Sequence, residues 1–118
     1  MIISSSGFEG ANIVLYTHSK EFFLQGEDLI REIVSNIKKR IELRADESIL
    51  LKEESTERLI KEIIPEEAAI DNILFDRNRG IVVVEAKKPG LVIGKEGRSL
   101  REIKEKSFWT PIVRRSPI

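Results

Sequence analysis

The sequence predicts an α+β fold built from two related modules, and three observations predict it. Residues 94–97 read Gly-Lys-Glu-Gly, a turn between two glycines that opens a helical pattern. From residue 55 onward the elements run α-β-β-α, then this turn, then α-β. Shifted forward by 70, residues 11–44 fall on the elements around and after the turn, so the first half reads as a partial copy of the second.

Composition bounds the rest. A chain of 118 residues is one ordinary domain or two very small ones. A hydrophobic share of 41% supplies a core, and the absence of Cys excludes a disulfide framework and thiolate metal sites. No apolar run approaches the ~20 residues of a membrane span, and the N-terminus lacks a signal-peptide pattern. The expectation is a soluble, cytoplasmic protein without a membrane partner. The net charge of zero hides an asymmetry. Residues 1–76 carry 9 Lys and Arg against 16 Asp and Glu, a net of −7; residues 77–118 carry 11 against 4, a net of +7. A basic last third gives phosphates somewhere to bind.

The elements follow in order. Residues 1–10 (MIISSSGFEG) show no period and read as a flexible N-terminus. Asn12–Tyr16 is a short β-branched strand. Ser19–Gln25 reads as a helical turn or two, broken by Gly26. Asp28–Lys39 reads as an amphipathic helix with Leu29, Ile33 and Ile37 four residues apart and Asp28 as its N-cap. Ile41–Arg44 is a strand, followed by a polar connection with a turn near Ser48–Leu51. Ser55–Ile64 is a helix with Leu59, Ile60, Ile63 and Ile64 as its stripe, ended by Pro65. Ile70–Asp76 and Ile81–Ala86 form a hairpin around Arg77-Asn78-Arg79-Gly80. Leu91–Ile93 makes one turn into the glycine loop. Arg98–Ser107 is the last helix; the capping-box spacing of Ser99 and Glu102 predicts a start one or two residues late. Thr110–Arg115 closes the sheet, and Pro111 marks an edge position or the strand's first residue.

Two glycines three apart mean little alone. A Walker A loop is excluded, because Glu96 follows Lys95 where Ser or Thr is needed, and no G-x-G-x-x-G exists. The surrounding order gives the loop its meaning. Apolar residues before it, a basic residue within it and a helix after it match the G-x-x-G loop of a type II KH domain, which clamps the backbone of about four nucleotides. The reading is therefore tandem KH domains, type II-like. The second, over residues 48–118, is α-β-β-α-α-β with its loop at 94–97. The first, over 11–47, is a degenerate β-α-α-β core. Its loop position holds Leu24-Gln25-Gly26-Glu27, followed by Asp28. Those carboxylates repel an anion, so this module reads as structural or protein-binding.

The stretches IVLYTHSKEFF, KRIELRAD, IIPEEAAI, VEAKKPGLVIGKEGRSLREI and WTPIVRRSPI carry a wider resemblance over nearly all of residues 12–118. They resemble the N-terminal tandem KH region of the archaeal cleavage and polyadenylation specificity factor-like β-CASP ribonucleases. In that family a metallo-β-lactamase domain and a β-CASP domain follow, hold a dinuclear zinc site and cleave RNA. The resemblance implies a module that presents single-stranded, U-rich RNA to that nuclease in 3′-end processing and transcription termination. It implies zinc only in the associated nuclease domain, in cis or in trans.

The residues themselves carry no catalytic set. The chain has one His, His18, where such a zinc nuclease needs an H-x-H-x-D-H run. The expectation is no enzyme by itself and no cofactor in this chain: an N-terminal part or a separate partner of a ribonuclease. The expected RNA-binding residues are Ile93, Gly94, Lys95, Glu96, Gly97, Arg98 and Arg101. Backbone N–H groups from Lys95 to Arg98 meet phosphate; Lys95, Arg98 and Arg101 add charge against the opposing Glu96; Ile93 and Leu100 floor the groove, with core packing an equal reading for Leu100. Phe108 and Trp109 read more simply as core or interface residues than as base-stacking platforms. The alternative function is protein interaction or dimerisation, with the chain docking onto a separate nuclease subunit or a second copy.

Overall fold

Strand β1 (Ile3–Glu9) turns back through Gly10 and Ala11 into strand β2 (Asn12–Thr17), and the two pair antiparallel. In the computed structural model, residues 2–34 and 40–117 are described, and they divide into two units, Met1–Ile49 and Leu50–Ile118. Each unit holds one three-stranded sheet.

In the first unit, helix α1 (Lys20–Val34) follows β2, and strand β3 (Ile41–Ala45) returns parallel to β2, giving the order β1-β2-β3. Parallel neighbours need a long crossover, and the helical segment supplies it. Two expectations are corrected here. The N-terminus expected to be flexible is a strand. As an edge strand it leaves Ser4, Ser5 and Ser6 exposed, so it shows no apolar alternation. The helix also does not break at Gly26. It starts after Ser19, whose hydroxyl accepts from Phe22 N–H at 3.2 Å as an N-cap. It then runs through Gly26, where a side chain would come within 2.9 Å of the Phe22 ring. Asp28, expected as the N-cap, lies inside α1. The unit is thus β-β-α-β, with one more strand and one fewer break than the expected core. The predicted extension of this helix over residues 35–39, including Ile37, lies outside the described residues, as does the side chain of Ile33.

In this sheet Arg44 is buried, at 4% exposure. Its guanidinium donates to Glu9 (2.9 Å), Glu42 (2.9 Å) and Tyr16 (3.3 Å), tying β1, β2 and β3 together. Burial works against the charge, but the hydrogen bonds it donates to the two carboxylates outweigh it and push its pKa up.

The second unit runs helix α2 (Glu53–Ile63), strand β4 (Ile70–Asp76), strand β5 (Ile81–Ala86), short helix α3 (Pro89–Ile93), helix α4 (Arg98–Ser107) and strand β6 (Thr110–Arg115). This is the expected α-β-β-α-α-β order. β4 and β5 pair antiparallel, β5 and β6 parallel, with β6 at an edge. Val82, Val84 and Ala86 alternate inward along β5 and meet Ile60, Ile103 and Trp109, all fully buried. Trp109 is core. Its indole N–H donates to Leu51 O at 2.7 Å, and its ring meets Phe75 edge-on at 4.9 Å.

The two sheets share one topology: an antiparallel hairpin followed by a parallel return. Leu15 pairs with Leu43, as Val84 pairs with Val113. The internal repeat therefore extends to β1, whose counterpart is β4.

Candidate nucleic-acid interface

Helix α3 ends because Gly94 adopts φ 77°, ψ 175°, a region essentially reserved for glycine. Gly94 N–H still bonds back to Gly90 O at 3.1 Å, closing the helix. Lys95–Gly97 then makes one tight turn. Glu96 is left-handed (φ 57°, ψ 27°), and so is Gly97 (φ 74°, ψ 16°). Arg98 returns to helical angles and begins α4. The late start predicted from Ser99 and Glu102 does not occur, because Gly97 itself occupies the cap position. Ser99 instead packs under the loop: a Cβ on Gly94 would lie 3.0 Å from Ser99 N and 3.0 Å from its Cβ, and closer still to its hydroxyl.

The expected RNA-binding residues form one contiguous ridge. Ile93 closes α3 with 39% of its surface exposed. Lys95, Glu96, Arg98 and Arg101 are all exposed. Leu100, expected in the groove floor, packs against the core cluster. The backbone donors divide. Gly97 N–H bonds to Gly94 O at 3.2 Å, and Arg98 N–H bonds to Lys95 O. Among the described residues no partner is seen for the N–H groups of Lys95 and Glu96. The donors available to an anion are therefore these two, at the front of the expected set. Arg101 Nη2 donates to Glu96 O at 2.9 Å, a contact that sequence spacing did not signal.

More cations gather where the chain leaves β5. Lys87 and Lys88 are exposed, and Arg115 Nη1 reaches Lys87 O at 3.5 Å. The corresponding place in the first unit offers no loop. Leu24–Glu27 is helix, Gly26 lies beneath the Phe22 ring, and Glu27 faces Arg31 at 3.7 Å. His18 is a surface residue whose Nδ1 lies 2.9 Å from Ser4 Oγ. Among the described residues no group of three His, Cys, Asp or Glu is placed to hold a metal ion. Among the described residues no helix is long and apolar enough to cross a membrane.

Comparison with known proteins agrees with this division. Residues 1–50 match the family described as "Transcription termination factor FttA, KH domain", and residues 55–108 match the family "KH domain". The chain is 47% identical over 115 residues to transcription termination factor FttA of Pyrococcus abyssi, covering 98% of this chain and 18% of that protein. It is 47% identical over 110 residues to FttA of Methanothermobacter thermautotrophicus, covering 93% and 17%. FttA of Cenarchaeum symbiosum is 36% identical over 110 residues, covering 92% and 17%. The chain thus spans under a fifth of the length of these relatives. Among solved structures it is similar to APE1850, at 21% identity and a TM-score of 0.43 over 88% of this chain and 79% of that one, too loose a likeness to argue from. Loop geometry, topology and the two matched segments agree: the chain is a tandem of two KH domains.

Proposed function

We propose that the chain is an RNA-binding module of transcription termination, and that its second domain holds single-stranded RNA on the Gly94–Gly97 loop. The observation that carries this reading is the loop itself: a turn of glycine-type backbone angles at the start of α4 with the N–H groups of Lys95 and Glu96 free of partners among the described residues. Lys95 and Arg98 supply charge from the exposed side, and Ile93 offers apolar surface for a base. Similarity to transcription termination factor FttA supports the process.

The finer reading is that the RNA is U-rich and is presented to a β-CASP nuclease in cis or in trans, with zinc in that nuclease and the cytoplasm as setting. The much greater length of the relatives supports a further domain. For the first domain we infer docking to protein, onto the nuclease or a second copy of the chain. An uninterrupted α1 with Glu27 and Asp28 at the loop position favours this over RNA.

The test is fluorescence anisotropy with a short U-rich RNA, comparing wild type with Gly97→Asp. Nothing lies within 4 Å of a Cβ at Gly97, and Asp is among the few residues that enter the left-handed region, so the substitution adds backbone strain without a clash and puts a carboxylate in the loop. Loss of binding with an unchanged circular dichroism spectrum supports the clamp. Equal affinity and equal salt dependence in the two proteins would sink it.

A further inference from the structure

We infer that Arg101 is a positioning residue for the loop: it acts through the backbone carbonyl of Glu96 and does not act as a phosphate contact. The inference rests on the RNA-binding reading above and changes the role that charge alone suggests for Arg101.

Glu96 carries a side chain in a left-handed conformation, at φ 57° and ψ 27°. Residues with a Cβ avoid this conformation, so something must hold it. Its neighbours do not need holding: Gly94 and Gly97 take φ 77° and 74° without that penalty. Arg101 sits one turn into α4. Helical side chains lean toward the helix N-terminus, which aims this guanidinium back at the loop. There Nη2 donates to Glu96 O at 2.9 Å, a bond strengthened by the donor's charge. The flip of the Glu96 peptide is opposed because it would take this acceptor away. In this conformation the N–H groups of Lys95 and Glu96 have no partner among the described residues. Arg101 also brings a positive charge against a carbonyl, leaving Lys95 and Arg98 as the cations not tied to the loop backbone by any bond among the described residues.

The two roles for Arg101 leave different marks. A phosphate contact releases counterions, so its loss lowers the slope of log affinity against log salt by about 0.7 for single-stranded nucleic acid. A positioning role costs affinity without changing that slope. It also depends on Glu96, because glycine at this position holds the left-handed angle unaided.

The experiment measures affinity for a labelled U-rich RNA across a KCl series for wild type, Arg101→Met, Glu96→Gly and the double variant. Arg101→Met is expected to weaken binding by about three- to tenfold, the range of one net hydrogen bond, with the salt slope unchanged. In the Glu96→Gly background the same substitution is expected to change affinity less than twofold. A slope lowered by about 0.7 in both backgrounds, or no loss in either, overturns the inference. Backbone chemical shifts of Glu96 without RNA give an independent arm: Arg101→Met should move them away from left-handed values, and unchanged shifts overturn the inference too. If wild type binds no RNA, the functional reading falls, while the chemical shifts still decide the role of Arg101.

Discussion

Ser99 occupies the space that any side chain on Gly94 would need. Its amide nitrogen and Cβ both stand 3.0 Å from where a Cβ on Gly94 would be, at a residue whose φ of 77° with a ψ of 175° already disfavours one. The turn is therefore locked from beneath by the first turn of α4.

Gly94→Ala is expected to cost about 1–3 kcal/mol, the range for a residue forced into a forbidden backbone region. Urea denaturation of the single variant and of Gly94→Ala with Ser99→Gly checks the cause. Removing the Ser99 side chain should recover only part of the loss, because the Ser99 backbone nitrogen and the backbone angles remain. Full recovery would show that the Ser99 side chain alone is responsible.

Glu9→Gln is expected to destabilise the first unit, because Arg44 is 4% exposed and would lose a charged partner. The cost should be about 1–3 kcal/mol, below the roughly 3–5 kcal/mol of a fully buried pair, because Glu9 keeps 28% of its side chain exposed. Amide exchange across β1 should rise first. Unchanged protection of residues 5–8 would separate the strand's pairing from the ion cluster.

Asp46 accepts the backbone N–H of Ser48 at 3.0 Å, and that hydrogen bond is the main cause of a lowered carboxyl pKa. The nearby His18 adds a smaller effect in the same direction. A depressed folded-state pKa contributes stability above the unfolded pKa and loses it as pH falls through the folded one. Asp46→Asn should therefore lower stability at neutral pH, and the gap to wild type should close as acid protonates Asp46. A gap that stays constant down to pH ~2, below the usual carboxylate range, would place the contribution elsewhere.

Trp109 is the chain's one tryptophan and is fully buried. Its fluorescence should report unfolding of the second unit and stay unchanged on addition of RNA. Trp109→Ala is expected to cost about 3–5 kcal/mol. Trp109→Phe leaves Leu51 O without its indole donor and should cost about 1–3 kcal/mol. Strong quenching by RNA in the folded protein would return Trp109 to a stacking role.

Much of the second domain was legible because its signals are local. The β-branched run Ile81–Ala86 is a strand, Gly80 (φ 63°) closes the hairpin, and α4 spans Arg98–Ser107 as its pattern indicates. The first domain was less legible because its determinants are distant in sequence. β1 is a strand through pairing with β2 and through Arg44, which lies 35 residues from Glu9. Gly26 stays helical because the Phe22 ring lies over it, a packing fact invisible in a propensity. At the loop, the ridge from Ile93 to Arg101 followed from spacing. The division of its donors did not, because Gly97 and Arg98 spend their N–H groups on carbonyls within the turn.

The shared hairpin-and-return topology bears on how the loop came to fit. Leu15 and its partner Leu43 are 28 residues apart, and Val84 and its partner Val113 are 29 apart. One crossover contains the long α1, the other two short helices with a glycine turn between them. The two spans are almost the same length. Residues 18–40 and 87–109 thus give the two sheets crossovers of equal length, so the glycine turn needs no longer a connection than a helix does: it changes the path of the chain and leaves its reach unchanged.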